Sequence, residues 1–244
     1  MPARTATGDF TSATASPLLV SFSGIDGAGK STQIEHLCDR LRSAGYNVLQ
    51  LAFWDNVVVL SRFREGFTHR VFKSEKGVGA PGKPVQRRDK NVRSWYLSLL
   101  RCALYLLDAL HLRYVVTRAR HSPATVIVFD RYIYDELANL PLQKSLSRGF
   151  LRCVAALVPR PDVAYLIDAD PEEACARKPE YPLEFSRRCR QTYLSLAKIT
   201  GMTVVPPLPL AAAKQKVLEL FQQATLTPVP QWQPPLNQDV HLSA

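Results

Sequence analysis

The sequence predicts an α/β protein in which helices cover a central parallel sheet of about five strands. Short apolar or β-branched segments alternate with helical patterns along the chain, and this alternation is typical of parallel sheets. A glycine-rich loop between the first such segment and the first helix fits the same architecture. The five candidate strands cover residues 18–22, 48–53, 125–129, 163–168 and 202–205.

The glycine-rich loop spans residues 24–32, reads GIDGAGKST and fits the phosphate-binding pattern G-x-x-x-x-G-K-S. Such glycines let backbone N–H groups turn toward phosphate oxygens, and the N-terminus of the following helix adds partial positive charge. We therefore expect Lys30 to reach the β- and γ-phosphates of ATP and the Ser31 hydroxyl to bind Mg²⁺. The expected ATP-binding residues are Gly24, Ile25, Asp26, Gly27, Ala28, Gly29, Lys30, Ser31 and Thr32.

Helical patterns account for most of the chain between the strands. The first helix has its apolar stripe at residues 34, 37, 38 and 41, and the last covers 210–223. A strongly apolar helix is predicted from 94 to about 120, where interrupting charges disfavour a membrane span. Further helices are predicted over 143–158, after Asp170 as an N-cap, and around a stripe at 185, 189, 193 and 196.

Two segments at the ends of strands carry candidate functional residues. Asp130-Arg131-Tyr132 follows the third strand, where a carboxylate suits Mg²⁺ and an arginine can bind a phosphoryl group through two parallel hydrogen bonds. The alternative for this pair is a surface salt bridge between neighbours. Phe53 and the residues after it lie at the carboxyl end of the second strand, the edge at which open α/β sheets bind ligands.

The chain's net charge of +10 over 244 residues predicts an anionic partner, and nucleotides, nucleic acids and anionic membranes all qualify. Its five cysteines are scattered without a C-x-x-C pair, so we expect reduced thiols in a cytoplasmic protein. The five histidines form no metal-binding spacing, and we expect no structural zinc.

Composition divides the chain into three parts. Residues 1–16 read as a disordered tail rather than a signal peptide, 17–225 as one domain, and the proline-rich 226–244 as a second disordered tail. Within the domain, 61–93 is a basic insertion, predicted as a short helix near 58–73 and then a flexible loop. It is either a solvated surface loop, a lid over an anionic substrate or a nucleic-acid contact.

These motifs, in this order, resemble those of thymidylate kinase and its relatives among the P-loop nucleoside monophosphate kinases. Residues 24–33 look very like the family's phosphate loop, including the acid at Asp26, and Asp130-Arg131-Tyr132 is similar to its D-R-Y motif. Residues 168–172 resemble the segment that leads into the family's lid, here 175–183, with Arg177 where a lid arginine is expected. The resemblance covers about 17–222 and implies the three-layer αβα sandwich of P-loop NTPases.

The resemblance also implies an activity and its residues. The expected reaction is phosphoryl transfer from ATP, with Mg²⁺, to a nucleoside monophosphate, most simply dTMP. Lys30, Arg131 and Arg177 would neutralise charge in the transition state, while Ser31 and Asp130 would serve Mg²⁺. Asp26 would bind the sugar hydroxyl of the acceptor, and Arg131 would bind its phosphate. Tyr132 and Phe53 would line the acceptor pocket. Family members often form dimers through central helices, so a homodimer is possible here.

Three departures leave the acceptor open. The phosphate-gripping arginine that usually follows the second strand is absent, because the chain reads Phe53-Trp54-Asp55-Asn56 there. The segment after Tyr132 lacks the usual small hydroxyl residue, and only Arg113 is a candidate for reading the base. The alternatives are therefore a kinase of another nucleotide or of a polynucleotide end, a nucleotide-dependent nucleic-acid-binding module, and a degenerate relative that binds nucleotide without turnover.

Overall fold

The computed structural model describes residues 16–59, 95–140, 145–179 and 181–225. These residues form five strands and eight helices, which we number in chain order within the described ranges. The strands are β1 (Leu18–Ser23), β2 (Val48–Ala52), β3 (Val126–Asp130), β4 (Val163–Ile167) and β5 (Thr203–Val205). The helices are α1 (Lys30–Ser43), α2 (Phe53–Asn56), α3 (Trp95–Arg120), α4 (Ile133–Leu137), α5 (Ser145–Leu157), α6 (Pro171–Arg177), α7 (Leu183–Thr200) and α8 (Leu210–Thr225).

The five strands make one parallel sheet in the order β2-β3-β1-β4-β5. The central strand, β1, pairs with β3 from Leu18↔Val126 to Phe22↔Asp130 and with β4 from Val20↔Val163 onward. Because all strands run the same way, the segments that follow β1, β2, β3 and β4 meet at one edge of the sheet. The predicted parallel sheet of about five strands is confirmed, and helices flank it as in a P-loop NTPase-like αβα fold.

The hydrophobic core lies on the sheet itself and on the helix faces that cover it. Phe22, Phe129 and Tyr165 are fully buried on three adjacent strands, with the Phe22 and Tyr165 rings 4.8 Å apart. The predicted stripe of α1 is buried, and α1 packs against α8. No helix in the described ranges is long and apolar enough to cross a membrane.

Most element boundaries agree with the sequence, and two differences and one agreement matter for the site. The second strand ends at Ala52, because Phe53 begins the one-turn helix α2. The short helix α4 follows β3, where the sequence had predicted no element. Asp170 caps α6 as predicted, accepting hydrogen bonds from the backbone N–H groups of Glu172 (2.9 Å) and Glu173 (3.2 Å).

Three segments with predicted properties fall outside the described residues. They are the basic insertion at 61–93 and the two tails at 1–16 and 226–244, apart from residue 16. Their predicted structure and roles remain predictions.

Candidate active site

The phosphate-binding loop leaves the centre of the sheet and is held there by close backbone contacts. Gly24 and Gly27 both adopt positive φ angles, 147° and 81°, which side-chain-bearing residues rarely take. A Cβ at Gly24 would lie against the carbonyl of Ile167 at the end of β4, and one at Gly27 would overlap the carbonyl of Ala174 in α6. These two glycines are therefore required by both conformation and space.

Replacing Gly27 by alanine should destabilise the protein by at least about 2 kcal/mol, because the added methyl group meets immovable backbone as well as an unfavourable φ. Gly45 is the matched control, since its φ is 87° but nothing lies within 4 Å of its Cβ position. Gly45→Ala should cost only about 1 kcal/mol. Thermal denaturation measures both, and equal losses would contradict the predicted contact with Ala174.

The side chain of Lys30 is folded into the loop that it follows. It is only 7% exposed, and its ammonium donates to the carbonyls of Gly24 (2.9 Å) and Ile25 (2.8 Å). Burial above all, and then the charge of Arg131, lowers the pKa of Lys30 to about 8, although nearby carboxylates oppose the shift. A buried cation with a depressed pKa gains most from an anionic ligand, which supports the predicted role in phosphate binding.

The loop, Ser31 and Asp130 fit the binding of a nucleoside triphosphate with Mg²⁺. Gly24 and Gly27 carry no side chains, so the backbone of the loop before α1 is left uncovered. Ser31 lies exposed in the first turn of that helix. Asp130 ends β3 beside β1 and is partly exposed. The described residues hold no cluster of three or more His, Cys, Asp or Glu side chains that could bind a metal alone. Ser31 and Asp130 would then supply protein oxygens, with phosphates and water completing a magnesium shell.

Arg131 joins the phosphate loop to the segment after β3. It is the sole non-glycine residue with positive φ (66°) among those described, and its backbone N–H donates to the Phe22 carbonyl at 2.9 Å. Such a conformation costs about 1–2 kcal/mol and therefore needs compensation. The guanidinium of Arg131 provides this compensation through two ion pairs. One Nη is bound to Asp26 of the loop, and the other lies 3.2 Å from Asp135.

The charges of this cluster stabilise one another. Burial alone would raise the pKa of Asp26, but Arg131 and then Lys30 hold it below its ordinary value. Burial alone would lower the pKa of Arg131, but Asp135 and Asp26 raise it above the usual value. Asp26, Lys30 and Arg131 thus remain charged together near neutral pH, and the structure brings these three predicted site residues into one cluster.

Asp135, Tyr193 and Ser23 complete the cluster, and the sequence analysis missed all three. Asp135 lies in the first turn of α4 with a side chain only 2% exposed. It accepts hydrogen bonds from Tyr193 (2.8 Å) and Ser23 (2.6 Å). The one signal in the sequence was the spacing of Arg131 and Asp135 at i and i+4, whereas Tyr193 read simply as part of an apolar stripe.

A cleft of about 60 Å³ opens beside this cluster. Its lining includes Asp26 and Arg131 together with Tyr181 and Phe185, and the rings of the last two residues lie 4.9 Å apart. Trp54, 44% exposed, also lines it. The cleft is smaller than the usual ligand pocket of at least about 300 Å³. Its lining nevertheless combines an arginine, which can bind an anionic group, with aromatic faces, on which a planar ring can stack.

Two residues predicted to bind the acceptor, Phe53 and Tyr132, do not line this cleft. Phe53 is fully buried, because the chain turns into α2 at that residue and presents Trp54 to the cleft instead. Tyr132 is also fully buried, and its hydroxyl donates to the Pro159 carbonyl at 2.5 Å, away from the cleft. Tyr132 therefore supports the core under Arg131 and does not form a pocket wall.

Arg177 ends α6 directly beside the phosphate loop. Its side chain is 52% exposed, and its Nε donates to the carbonyl of Glu173 at 3.3 Å. A Cβ built on Gly29 would lie 3.9 Å from its Nη1, so the guanidinium stands over the end of the loop. The role of Arg177 as a lid arginine stays a prediction, and its exposed guanidinium lies close enough to the loop for that role to be tested.

Ion pairs fasten α7 to the segments around the loop. Arg190 binds Asp168, just after β4, through two hydrogen bonds of 2.7 and 2.8 Å. Arg187 binds Glu172 of α6, with a 3.0 Å contact from its Nε. The helix that supplies Phe185 and Tyr193 to the cleft is thus held in place relative to β4 and α6.

Comparison with known proteins finds relatives over most of the chain. No family model matches it. The probable thymidylate kinase of Archaeoglobus fulgidus is 24% identical over 216 residues, which cover 84% of this chain and 95% of that protein. The thymidylate kinase of Chlorobium luteolum is 26% identical over 200 residues, covering 73% and 83%. Among solved structures, thymidylate kinase from Ehrlichia chaffeensis matches 85% of this chain and 99% of its own with a TM-score of 0.53 at 19% identity, a likeness of fold.

Proposed function

We propose that this chain, a divergent thymidylate kinase-like protein, is a nucleoside monophosphate kinase that transfers the γ-phosphoryl group of ATP, with Mg²⁺, to dTMP. The observation that carries the proposal is the position of Arg131. It lies between the phosphate loop, which it touches through Asp26, and the cleft that could hold an acceptor. An arginine there can contact the transferring group and the acceptor phosphate together.

Three cationic side chains would neutralise negative charge during phosphoryl transfer. Phosphoryl transfer between two polyanions depends on positioning and on neutralising negative charge more than on a strong base. Lys30 faces the loop, Arg131 approaches from the cleft, and Arg177 approaches from α6. Ser31 and Asp130 would help to hold Mg²⁺, which would neutralise further negative charge at this site.

The acceptor would bind at the mouth of the cleft with its phosphate toward Arg131, and the cleft would have to widen to admit the nucleoside. The aromatic faces of Trp54, Tyr181 and Phe185 can stack on a base, and stacking of this kind tolerates several bases. Asp26, whose lowered pKa keeps it ionised, can accept a hydrogen bond from a sugar hydroxyl at the same time as it binds Arg131. This arrangement supports a nucleoside monophosphate as the acceptor class, with dTMP as the first candidate.

A coupled assay of ADP release tests the proposal. The purified chain, ATP and Mg²⁺ are combined with dTMP, dUMP, each other nucleoside monophosphate and a short oligonucleotide with a 5′-hydroxyl end. We expect the highest kcat/KM with dTMP. Preference for another mononucleotide would overturn the dTMP assignment, activity on the oligonucleotide alone would favour a polynucleotide kinase, and no turnover with any acceptor would overturn the proposed function.

The affinity for nucleotide should fall as the pH rises through about 8, because Lys30 loses its charge there in the free protein. The γ-phosphate is already ionised above pH 7, so Lys30 dominates the change. Between pH 7.5 and 9.5 we expect the Kd of a non-hydrolysable ATP analogue to rise about tenfold by calorimetry. Lys30→Arg, whose guanidinium stays charged, should give a flat profile, and a flat wild-type profile would contradict the prediction.

The proposal includes a cytoplasmic location and a homodimer. All five cysteines are free in the structure, which supports a reducing compartment such as the cytoplasm. Leu99, Leu110 and Tyr114 on α3 are each more than half exposed, which supports a homodimer formed through this helix. Sedimentation of the purified chain as a monomer at micromolar concentration would contradict the dimer.

A further inference from the structure

We propose that Asp135 is a positioning residue that holds the Arg131 guanidinium in the orientation needed for phosphoryl transfer, an inference that rests on the proposed function. Asp135 follows Arg131 by one helical turn and is nearly inaccessible to solvent. Nothing in a kinase reaction requires a buried carboxylate next to a phosphate-binding arginine. Its presence in this cleft therefore needs a reason other than contact with an anionic substrate.

Both carboxylate oxygens of Asp135 accept two hydrogen bonds from donors within the protein. Its Oδ1 accepts from the Tyr193 hydroxyl at 2.8 Å and from Arg131 at 3.2 Å. Its Oδ2 accepts from the Ser23 hydroxyl at 2.6 Å and from the Tyr132 backbone N–H at 3.2 Å. Donors from β1, the segment after β3 and α7 thus fix its position, so Asp135 acts on the reaction through Arg131.

Arg131 needs such a fixed partner because Asp26 also attracts it. Asp26 belongs to the phosphate loop and binds one Nη, whereas Asp135 binds the other from the opposite side. A guanidinium has five N–H donors, so three remain for phosphoryl oxygens when both carboxylates are bound. If Asp135 were neutral, Asp26 would be the sole charged partner, and the guanidinium would rotate toward the loop and away from the acceptor. Burial raises the pKa of Tyr193 well above its ordinary value, so its hydroxyl stays a neutral donor to Asp135.

Asp135→Asn tests this with little change of shape. We expect kcat with the acceptor to fall about 10–100-fold, because small misplacements of a charged group are costly in phosphoryl transfer. The KM for ATP should remain within about twofold. The decisive measurement is a double-mutant cycle with Arg131→Ala: if Asp135 acts through Arg131, the double variant should be no slower than Arg131→Ala alone. Effects that simply multiply would overturn the proposal.

Two controls separate positioning from loss of stability. Asp162→Asn removes the charge from a carboxylate that accepts a hydrogen bond from the Leu19 backbone N–H at 2.8 Å. This contact lies at the amino ends of β1 and β4, away from the loop and from Arg131. It should lower Tm without changing kcat. Tyr193→Phe removes one donor from Asp135 and keeps both charges, so it should lower kcat less than Asp135→Asn does. A larger effect of Tyr193→Phe would overturn the proposal.

A spectroscopic readout distinguishes a failure of this inference from a failure of the proposed function. In ¹⁵N-edited NMR of the full chain, Arg131→Lys identifies the guanidinium resonance of Arg131. We expect slow proton exchange with water at this group in the wild type and at least tenfold faster exchange in Asp135→Asn. Equal exchange rates would overturn the positioning role. If no acceptor is phosphorylated while the exchange rates differ as expected, the proposed function fails and the positioning of Arg131 stands.

Discussion

Replacing Lys30 by alanine should reduce kcat/KM for phosphoryl transfer by at least about three orders of magnitude. The ammonium now donates to two loop carbonyls, at 2.9 and 2.8 Å, and lies where the phosphates of a nucleotide would meet the loop. It is desolvated, and a desolvated cation interacts strongly with an anion. Alanine removes that charge and leaves the two carbonyls without their donor. Steady-state kinetics with ATP and the preferred acceptor measure the effect.

The variant also needs a test of folding, because Lys30 is buried. Lys30→Met retains the apolar stem and its packing while removing the charge, so it should fold like the wild type and be as inactive as Lys30→Ala. Thermal denaturation of both variants without nucleotide provides the comparison. A folded Lys30→Met protein with more than a tenth of wild-type kcat/KM would exclude the proposed role of the ammonium.

Replacing Arg177 by alanine should lower kcat about 100-fold and change the KM values for both substrates less than about threefold. Its guanidinium is 52% exposed and stands beside Gly29, so it gains most when negative charge develops on the transferring group. An interaction made chiefly in the transition state appears in kcat, whereas an interaction with the ground state appears in KM. Initial rates over a grid of ATP and acceptor concentrations separate the two.

Arg188 is a matched control for Arg177. It is exposed on α7, and its Nε donates to the carbonyl four residues earlier at 3.4 Å, as that of Arg177 does at 3.3 Å. Arg188→Ala removes the same charge and the same local hydrogen bond away from the loop, so its kinetics should match the wild type. Equal losses in the two variants would mean that overall charge, rather than the position of Arg177, sets the rate.

Much of the fold could be predicted because its signals are local. Each strand is a compact apolar segment, and the loop at Gly24 fixes both a strand end and a helix start. The resemblance to thymidylate kinases assigned Asp26, Lys30 and Arg131 to one site, and the pairing of β1 with β3 accounts for their closeness in the structure. The N-cap at Asp170 was equally predictable, since a capping side chain acts within three residues of itself.

The partners of Arg131 could not be predicted, because they depend on contacts between distant residues. Tyr193 meets Asp135 across 58 positions in the chain, and no periodicity shows that a tyrosine on an apolar stripe will turn its hydroxyl to a carboxylate. Phe53 illustrates the opposite error. Its position at a strand end predicted a ligand contact, but β2 ends one residue earlier than predicted and α2 begins at Phe53, which is buried, while Trp54 is exposed.

The close approach of Gly27 to Ala174 has a mechanical consequence. The loop backbone at Gly27 packs so closely on the backbone of α6 at Ala174 that the first turn of this helix cannot approach the loop unless the loop also shifts. In the proposed kinase, a movement of Arg177 toward the donor would therefore pivot after Ala174. Contact between main chains would then link the position of Arg177 to the loop that would hold the phosphates of the donor.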